Sequence, residues 1–209
     1  MRTLRRTPAF AITAIATLAI GIGATAAIFT VLRAVVLQPL PYRDADRLYG
    51  AWLALPGMHY EGSQTLATYF TDRQLARSID GIAVFDPTAV DVADATGADH
   101  LRAVKVSASL FPLLGADFAL GRSFTETEDT PGGPPAVILG YSLWQQRFGG
   151  DRAMLGKTIL VDGQPRAVVG VTARGFRFPD GGTRLWLPIM LDPRAAYAGG
   201  FAHRSFIKL

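Results

Sequence analysis

The chain begins with one long apolar segment and then changes to short alternations of apolar and polar residues. From Ala9 to Leu32 there are 24 consecutive residues without a charge. As an α-helix this segment would span about 36 Å at ~1.5 Å per residue, and the hydrocarbon core of a bilayer is ~30 Å thick. Pro8 precedes it, and proline is tolerated in a first helical turn. No other run of 18 apolar residues exists, so the pattern predicts one membrane crossing.

Charges on either side of this helix predict its orientation. Arg2, Arg5 and Arg6 precede it, and only Arg33 closely follows it. Because positive side chains stay preferentially on the cytoplasmic side, we expect a cytoplasmic N-terminus with the residues after about 40 outside. A cleaved signal peptide is the alternative, since residues 24–26 (Ala-Thr-Ala) resemble a cleavage site. The apolar region of a signal peptide is typically ~7–15 residues long, and the longer run here favours an uncleaved anchor.

The remaining residues predict an α+β fold, in which one N-terminal transmembrane helix is followed by a mixed α/β domain with hairpins and short helices. We assign 1–33 to the basic start and the transmembrane helix, and 34–209 to the exterior domain. Runs rich in β-branched and aromatic residues predict strands at about 47–55, 81–85, 89–93, 101–106, 136–139, 158–161, 164–171 and 184–189. Helical spacing with capping residues at the ends predicts helices at 63–79, 108–114 and 141–148.

Local signals add detail to this domain. Asp162-Gly163 separates two β-rich runs, which is a strong hairpin signal. Small polar side chains are placed to cap the three helices: Ser63, Ser107 and Ser142. The stretch 125–135 is acidic and rich in proline and glycine, which predicts an exposed loop. Large aromatic residues are expected in the core: Trp144, Phe148, Phe176, Phe178 and Trp186.

Composition and charge remove several classes of protein. The 209 residues include no cysteine, which excludes a disulfide scaffold, a zinc–thiolate site and a thiol nucleophile. The net charge of +4 comes entirely from the first 33 residues, because the rest of the chain carries equal numbers of basic and acidic side chains. A nucleic-acid-binding protein spreads its basic residues over a docking face, so we expect no nucleic-acid partner.

Sequence motifs for nucleotide binding and nucleophilic catalysis are incomplete. Residues 156–158 (Gly-Lys-Thr) match only the end of a phosphate-binding loop, and Asp151 occupies the position of its first glycine. A strand rather than a helix is predicted to follow, so a structural turn is the better interpretation. No serine lies in the G-x-S-x-G pattern of a nucleophile elbow.

Histidines and carboxylates show no metal-binding or acid–base pattern. Three histidines are isolated along the chain: His59, His100 and His203. Four aspartates lack the spacing of a calcium loop and are interpreted as solvated strand ends: Asp86, Asp91, Asp94 and Asp99. Three carboxylates lie in the acidic loop, where nothing fixes the separation that glycoside chemistry needs: Glu126, Glu128 and Asp129. We therefore predict no catalytic, cofactor-binding or metal-binding residue, and no cofactor.

Three stretches match a known family pattern in one order. The first runs from 6–10 through Gly-Ile-Gly-Ala at 21–24 to Leu-Gln-Pro-Leu-Pro-Tyr at 37–42. The second comprises 106–107, 111, 114–115 and 120–124. The third comprises 137–139, 143–151, 156–157, 162–163, 168–171, 175–176 and 178–179. Together they resemble the MacB/FtsX-type ABC transporter permeases, particularly their MacB-like periplasmic core domain.

This resemblance implies a non-catalytic subunit of the inner (plasma) membrane, with its N-terminus in the cytoplasm and its main domain in the periplasm. A separate cytoplasmic ABC ATPase would drive it, and the periplasmic domain would couple that ATPase to export or to periplasmic partners. Many members of the family are dimeric. Gly23 and Ala27 lie four residues apart, a spacing that permits a homodimer through the transmembrane helix.

Two further expectations concern completeness and the competing function. The chain ends at Leu209, before the returning span and the C-terminal helices of the family, so we expect an N-terminal portion of a permease or a truncated member. A membrane-tethered enzyme is disfavoured, because the sequence shows no recognisable nucleophile, metal-ligand set or cofactor loop. A secreted or membrane-tethered periplasmic binding protein stays open as the alternative, since binding grooves leave little trace in sequence.

Overall fold

The structure is a computed structural model that describes residues 8–33, 42–51, 64–75, 79–94, 97–195 and 202–209. The chain divides into two units, Met1–Leu40 and Pro41–Leu209. In the first unit, helix α1 spans Pro8–Leu32, which differs from the expected 9–32 by one residue. Within the described residues, α1 is the one helix long and apolar enough to cross a membrane.

The second unit is a mixed α/β domain. Its first strands and helices are β1 (Leu48–Ala51), β2 (Gln64–Thr65), α2 (Leu66–Leu75), β3 (Gly81–Asp94), β4 (Gly97–Val106), α3 (Leu110–Leu114) and β5 (Phe118–Gly121). The later ones are β6 (Ala136–Leu139), α4 (Tyr141–Phe148), β7 (Thr158–Val161), β8 (Gln164–Thr172), β9 (Leu185–Pro188) and β10 (Ala202–Lys208). Strand β6 and helix α4 have the bounds that the sequence predicted.

The described strands form one mixed sheet in the order β1-β10-β3-β4-β9-β6-β8-β5. β2 pairs with β10, and β7 joins β3 to β8. Two pairs of neighbours are parallel, β4 with β9 and β6 with β8, while the other pairings are antiparallel. The carboxyl ends of β6 and β8 therefore lie at the same edge of the sheet, where α4 begins.

Both faces of the sheet centre are covered. Side chains of a strand alternate between the faces, so Val137 and Leu139 pack into one apolar cluster while Ile138 packs into the other. Helix α4 covers the first face with Leu143 and Trp144, and α3 covers the second with its leucines and phenylalanine. All four residues of β6 and of β9 are buried as a result.

The β7–β8 hairpin forms at Asp162-Gly163, as predicted. Both turn residues have positive φ, 51° at Asp162 and 72° at Gly163. A two-residue hairpin turn of this kind matches the twist of the strands and needs residues that tolerate left-handed backbone. Asp162 also accepts the N–H of Asp91 through Oδ1 at 2.8 Å, so its side chain links the hairpin to β3.

One strand replaces two predicted strands. The segments 81–85 and 89–93 belong to the single 14-residue strand β3, although Pro87 lies between them. β10 pairs with β3 only as far as Phe85, and β7 pairs only with Val92 and Ala93. On that side none of the described strands pairs with Pro87, so its missing N–H interrupts no hydrogen-bond ladder between them.

The predicted caps of the first two helices need correction. Ser63 lies outside the described residues, and α2 begins at Leu66, with the hydroxyl of Thr65 accepting the N–H of Thr68 at 3.3 Å. α2 ends at Leu75 rather than near 79. Ser107 does not cap α3, because its Oγ instead accepts the N–H of Val84 at 3.1 Å.

Three strands, β2, β5 and β10, were not predicted. The predicted strand at 47–55 is β1 in its described part, and residues 52–60 lie outside the described residues. The predicted strand at 184–189 is β9, one residue shorter at each end.

Candidate functional site

The fragment of a phosphate-loop motif forms a turn before β7. Gly156 has a φ of 82°, and its N–H donates to the carbonyl of Val168 at 2.8 Å. The ammonium of Lys157 pairs with Asp151 at 3.1 Å. A strand follows rather than a helix, so this segment lacks the geometry of a phosphate-binding loop.

Of the three histidines, His100 is the one whose side chain the structure describes. His100 Nδ1 lies 2.7 Å from Asp91 Oδ1, because the two residues are cross-strand partners in β3 and β4. His203 lies in β10, and His59 is outside the described residues. No group of three or more potential metal ligands occurs among the residues that the structure describes.

Two of the four clustered aspartates, which the sequence placed at solvated strand ends, bind one arginine, although the Asp99 side chain remains 62% exposed. Arg147 on α4 donates from Nε to Asp94 at 2.7 Å and pairs with Asp99. It also donates to the carbonyl of Gly97 at 2.8 Å. The Arg147 side chain is only 9% exposed, so this cluster fastens α4 to the tip of the β3–β4 hairpin.

The acidic loop at 125–135 is a loop, but Glu128 in it is buried. Glu128 forms a two-pronged pair with Arg122, with nitrogen–oxygen distances of 2.8 and 2.9 Å. Its Oε2 also accepts the N–H of Thr125 at 2.8 Å. These hydrogen bonds, that to Arg122 first, lower the pKa of Glu128 below its usual range. The Glu128 carboxylate thus stabilises the loop by binding Arg122 and Thr125 at the same time.

Asp129 ties the same loop to two other elements. Its Oδ2 accepts the N–H of Ala108 just before α3, and its Oδ1 accepts the N–H of Met190 just after β9, each at 2.9 Å. Burial raises the pKa of Asp129 above its usual range. Glu126 is the exposed carboxylate of the three and pairs with Arg73 at 3.2 Å. The expected exposure of the acidic loop is therefore wrong at Glu128, which is buried, and Asp129 is half-buried.

A groove of about 540 Å³ opens at the carboxyl ends of the parallel strands β6 and β8. The start of α4 forms one wall, with Tyr141, Ser142 and Gln145, and the loop between β8 and β9 forms the opposite wall, with Arg174 and Arg177. The buried ring of Trp186 also lines it. Its volume is within the range of small-molecule sites. No motif in the sequence pointed to this groove.

The hydroxyl groups of helix α1 form hydrogen bonds within the helix, which a lipid environment requires of polar groups. Each described threonine hydroxyl donates to the carbonyl four residues earlier: Thr13, Thr17, Thr25 and Thr30, at 2.6 to 2.8 Å. The large apolar side chains described on α1 are 56–73% exposed within the chain. They are therefore available to contact lipid or another helix.

Comparison with known families decides the identity of the chain. The sequence model of the MacB-like periplasmic core domain matches residues 11–206, which includes most of α1 and nearly all of the folded domain. The chain belongs to the MacB-like periplasmic core domain family. The resemblance drawn from the sequence is confirmed, and so is the α+β class.

Two solved structures are similar in fold. The periplasmic region of MacB from Actinobacillus actinomycetemcomitans matches with a TM-score of 0.55 and 16% identity, over 78% of this chain and 72% of that one. The extracellular domain of the ABC-type transporter YknZ from Gram-positive bacteria matches with a TM-score of 0.52 and 16% identity, over 77% and 81%. Comparison with curated protein sequences gives no match.

Proposed function

We propose that this MacB-like chain is the membrane-anchored core portion of an ABC transporter permease. Helix α1 crosses the inner membrane with its N-terminus in the cytoplasm, and residues 34–209 lie in the periplasm. The domain couples a separate cytoplasmic ABC ATPase to export or to periplasmic partners. The observation that carries the proposal is the single family match that extends from α1 into the exterior domain.

The proposal assigns the domain a mechanical role without chemistry of its own. In the part of the chain that the structure describes, the clustered charges of the domain are used as ties between elements, as at Arg147 and Asp129. Such ties favour a domain that moves as one body. Movement of α1 could then be passed to periplasmic partners through packing and shape.

The proposed orientation predicts a labelling result, which the absence of native cysteine makes simple to obtain. A Gln164→Cys variant carries its thiol on the exposed end of the β7–β8 hairpin. In intact spheroplasts a membrane-impermeant maleimide should label this variant fully, because the domain is periplasmic. A Thr3→Cys variant should react only after detergent is added.

Denatured samples of both variants serve as the control that each thiol is reactive. Labelling of Thr3→Cys in intact spheroplasts would contradict the cytoplasmic N-terminus. A Gln164→Cys product shortened by about 26 residues and released from the membrane would support the cleaved signal peptide instead.

Coupling to an ATPase predicts a second result. The full chain, purified by an affinity tag from the membranes of its own host in neutral detergent, should carry a stoichiometric polypeptide with a complete phosphate-binding loop. The eluate should hydrolyse ATP, and a Lys→Ala change in that loop of the partner should abolish hydrolysis. A purified chain that carries no ATPase from native membranes would contradict the coupling role.

A homodimer through α1 belongs to the same proposal. A Cβ built at Gly21 or at Gly23 meets no atom within 4 Å, so the small-residue side of α1 is open in the single chain. Gly23 and Ala27 are four residues apart, the spacing that lets two helix backbones approach closely in a membrane.

A further inference from the structure

The groove at the start of α4 carries a positive charge that the described protein groups do not neutralise. Arg174 and Arg177 line it and are both exposed. Neither forms a salt bridge with any residue that the structure describes, and the lining includes no acidic side chain. The nearby Asp180 is already paired with Arg102 at 2.6 Å. Two guanidinium groups therefore face a cavity without a counter-charge.

The first turn of α4 adds oriented N–H donors to the same cavity. The cap residue is Gly140 rather than Ser142 and has no side chain, while the hydroxyl of Thr172 accepts the N–H of Tyr141 at 3.3 Å. A Cβ at Gly140 would approach the carbonyl oxygen of Arg184 to 2.7 Å, so an ordinary capping residue does not fit. Ser142, inside the first turn, has no hydrogen-bond acceptor for its N–H among the described residues. Such an open N-terminus favours an anion.

A side chain without a partner gives an independent sign of a ligand. Thr183 lines the groove and is only 9% exposed, yet its hydroxyl has no hydrogen-bond partner in the described part of the chain. A polar side chain that is mostly buried normally has a hydrogen-bond partner, in the protein or in a bound molecule.

The position of the groove in the sheet agrees with this chemistry. It lies beyond the carboxyl ends of two adjacent parallel strands, β6 and β8, where the helix that follows β6 begins. In α/β sheets ligands bind in crevices at this end of the strands, where helix N-termini converge.

We propose that this groove is a binding site for a doubly charged phosphate group, carried by a free phosphate ester or by a lipid headgroup. The charge of the phosphate matches the two unpaired arginines, and guanidinium groups bind phosphate oxygens in a two-pronged geometry. The N–H of Ser142 and the hydroxyl of Thr183 supply further donors. The remaining volume, next to Phe176 and Trp186, accommodates the body of the ligand.

The test is calorimetric titration of the full chain in an uncharged detergent with inorganic phosphate, and with acetate as a singly charged comparison. Phosphate should bind at least about tenfold more tightly than acetate, since guanidinium–phosphate pairs are charge-assisted and two-pronged. The Arg174→Gln/Arg177→Gln double variant should lose at least about tenfold in phosphate affinity for the same reason. Thr183→Val should lose about two- to tenfold, the value of one hydrogen bond.

A matched control separates a site from general charge attraction. Arg152 is exposed, forms no salt bridge among the described residues and lies outside the groove, so Arg152→Gln should keep wild-type affinity. Unchanged melting temperatures of the variants would show that the domain remains folded. An equal loss of affinity in Arg152→Gln, or no saturable binding of phosphate to the wild type, would overturn the proposal.

Two further ligands distinguish the sources of the phosphate. If sn-glycerol 3-phosphate and soluble dihexanoyl phosphatidic acid bind equally, the site takes a free phosphate ester. If the lipid binds at least about tenfold more tightly, as burial of its acyl chains would allow, the site takes a headgroup. These measurements involve no ATPase, so their outcome is independent of the coupling role proposed above.

Discussion

Two arginines in the middle of α1 should release the chain from the membrane. In the Ile20→Arg/Ile22→Arg double variant, each arginine costs about 2.5–3.5 kcal/mol on the insertion scale. The ten large apolar residues of the segment together contribute only about 3–6 kcal/mol, so insertion becomes unfavourable. Both isoleucines are exposed in the chain, 73% and 68%, and their replacement removes no packing within it.

The measurement is alkaline carbonate extraction of membranes that contain the full-length variant. We expect the wild type in the membrane pellet and the double arginine variant in the supernatant or degraded. Ile20→Leu/Ile22→Leu keeps the apolar character and should stay in the pellet. Retention of the double arginine variant in the pellet would show that something other than α1 anchors the chain.

Elements with strong local signals could be predicted from the sequence. The β7–β8 hairpin forms where Asp162-Gly163 allows two consecutive residues with positive φ. Helix α4 ends with Phe148. The next residue, Gly149, adopts the left-handed conformation with a φ of 61°, which favours glycine. In both cases the residue type determines the backbone within a few positions, so no distant contact was needed.

The strand β10 could not be predicted, because its stability comes from distant partners. Its sequence, Ala-His-Arg-Ser-Phe-Ile-Lys, shows no regular alternation. It forms a strand since β1 and β3 pair with it on both sides, and those segments are more than a hundred residues away along the chain. Propensity within the segment carries no information on such pairing.

The main error in predicting the exposure of side chains concerned two carboxylates in the acidic loop. Glu128 and Asp129 are in a sequence that is typical of an exposed loop, yet Glu128 is buried and Asp129 is half-buried. Arg122 and three backbone N–H groups bind the two carboxylates. Buried carboxylates are tolerated when they are fully hydrogen-bonded. The sequence cannot show this, because Met190 lies 61 residues from Asp129.

The groove escaped prediction for the same reason. Its walls come from residues 140–146 and 174–186, which are brought together by the pairing of β6 with β8 and with β9. The sequence suggested Ser142 as a helix cap and placed no function on Arg174 or Arg177. The signal present in the sequence was weak: a glycine between a buried strand and a helix, with arginines following a neighbouring strand.

Truncation of Trp186 should destabilise the exterior domain more than any other single change proposed here. Trp186 is 1% exposed and contacts Phe111 and Phe176 edge-on, with ring centroids 5.8 and 5.4 Å away. Its Nε1 donates to the carbonyl of Phe178 at 3.2 Å. Trp186→Ala should lower the free energy of unfolding by about 3–5 kcal/mol, which corresponds to a fall in melting temperature of roughly 6–20 °C.

Thermal unfolding of the full chain, followed by circular dichroism in neutral detergent at one scan rate, measures this fall. Trp186→Phe keeps an aromatic ring and should lose less, because the cavity is smaller and mainly the hydrogen bond to Phe178 disappears. Tyr49→Ala removes an aromatic side chain that is 51% exposed and should change the free energy by no more than about 0.5 kcal/mol. If Trp186→Ala melts like Tyr49→Ala, then Trp186 is not packed between the sheet and the aromatic cluster of Phe111 and Phe176.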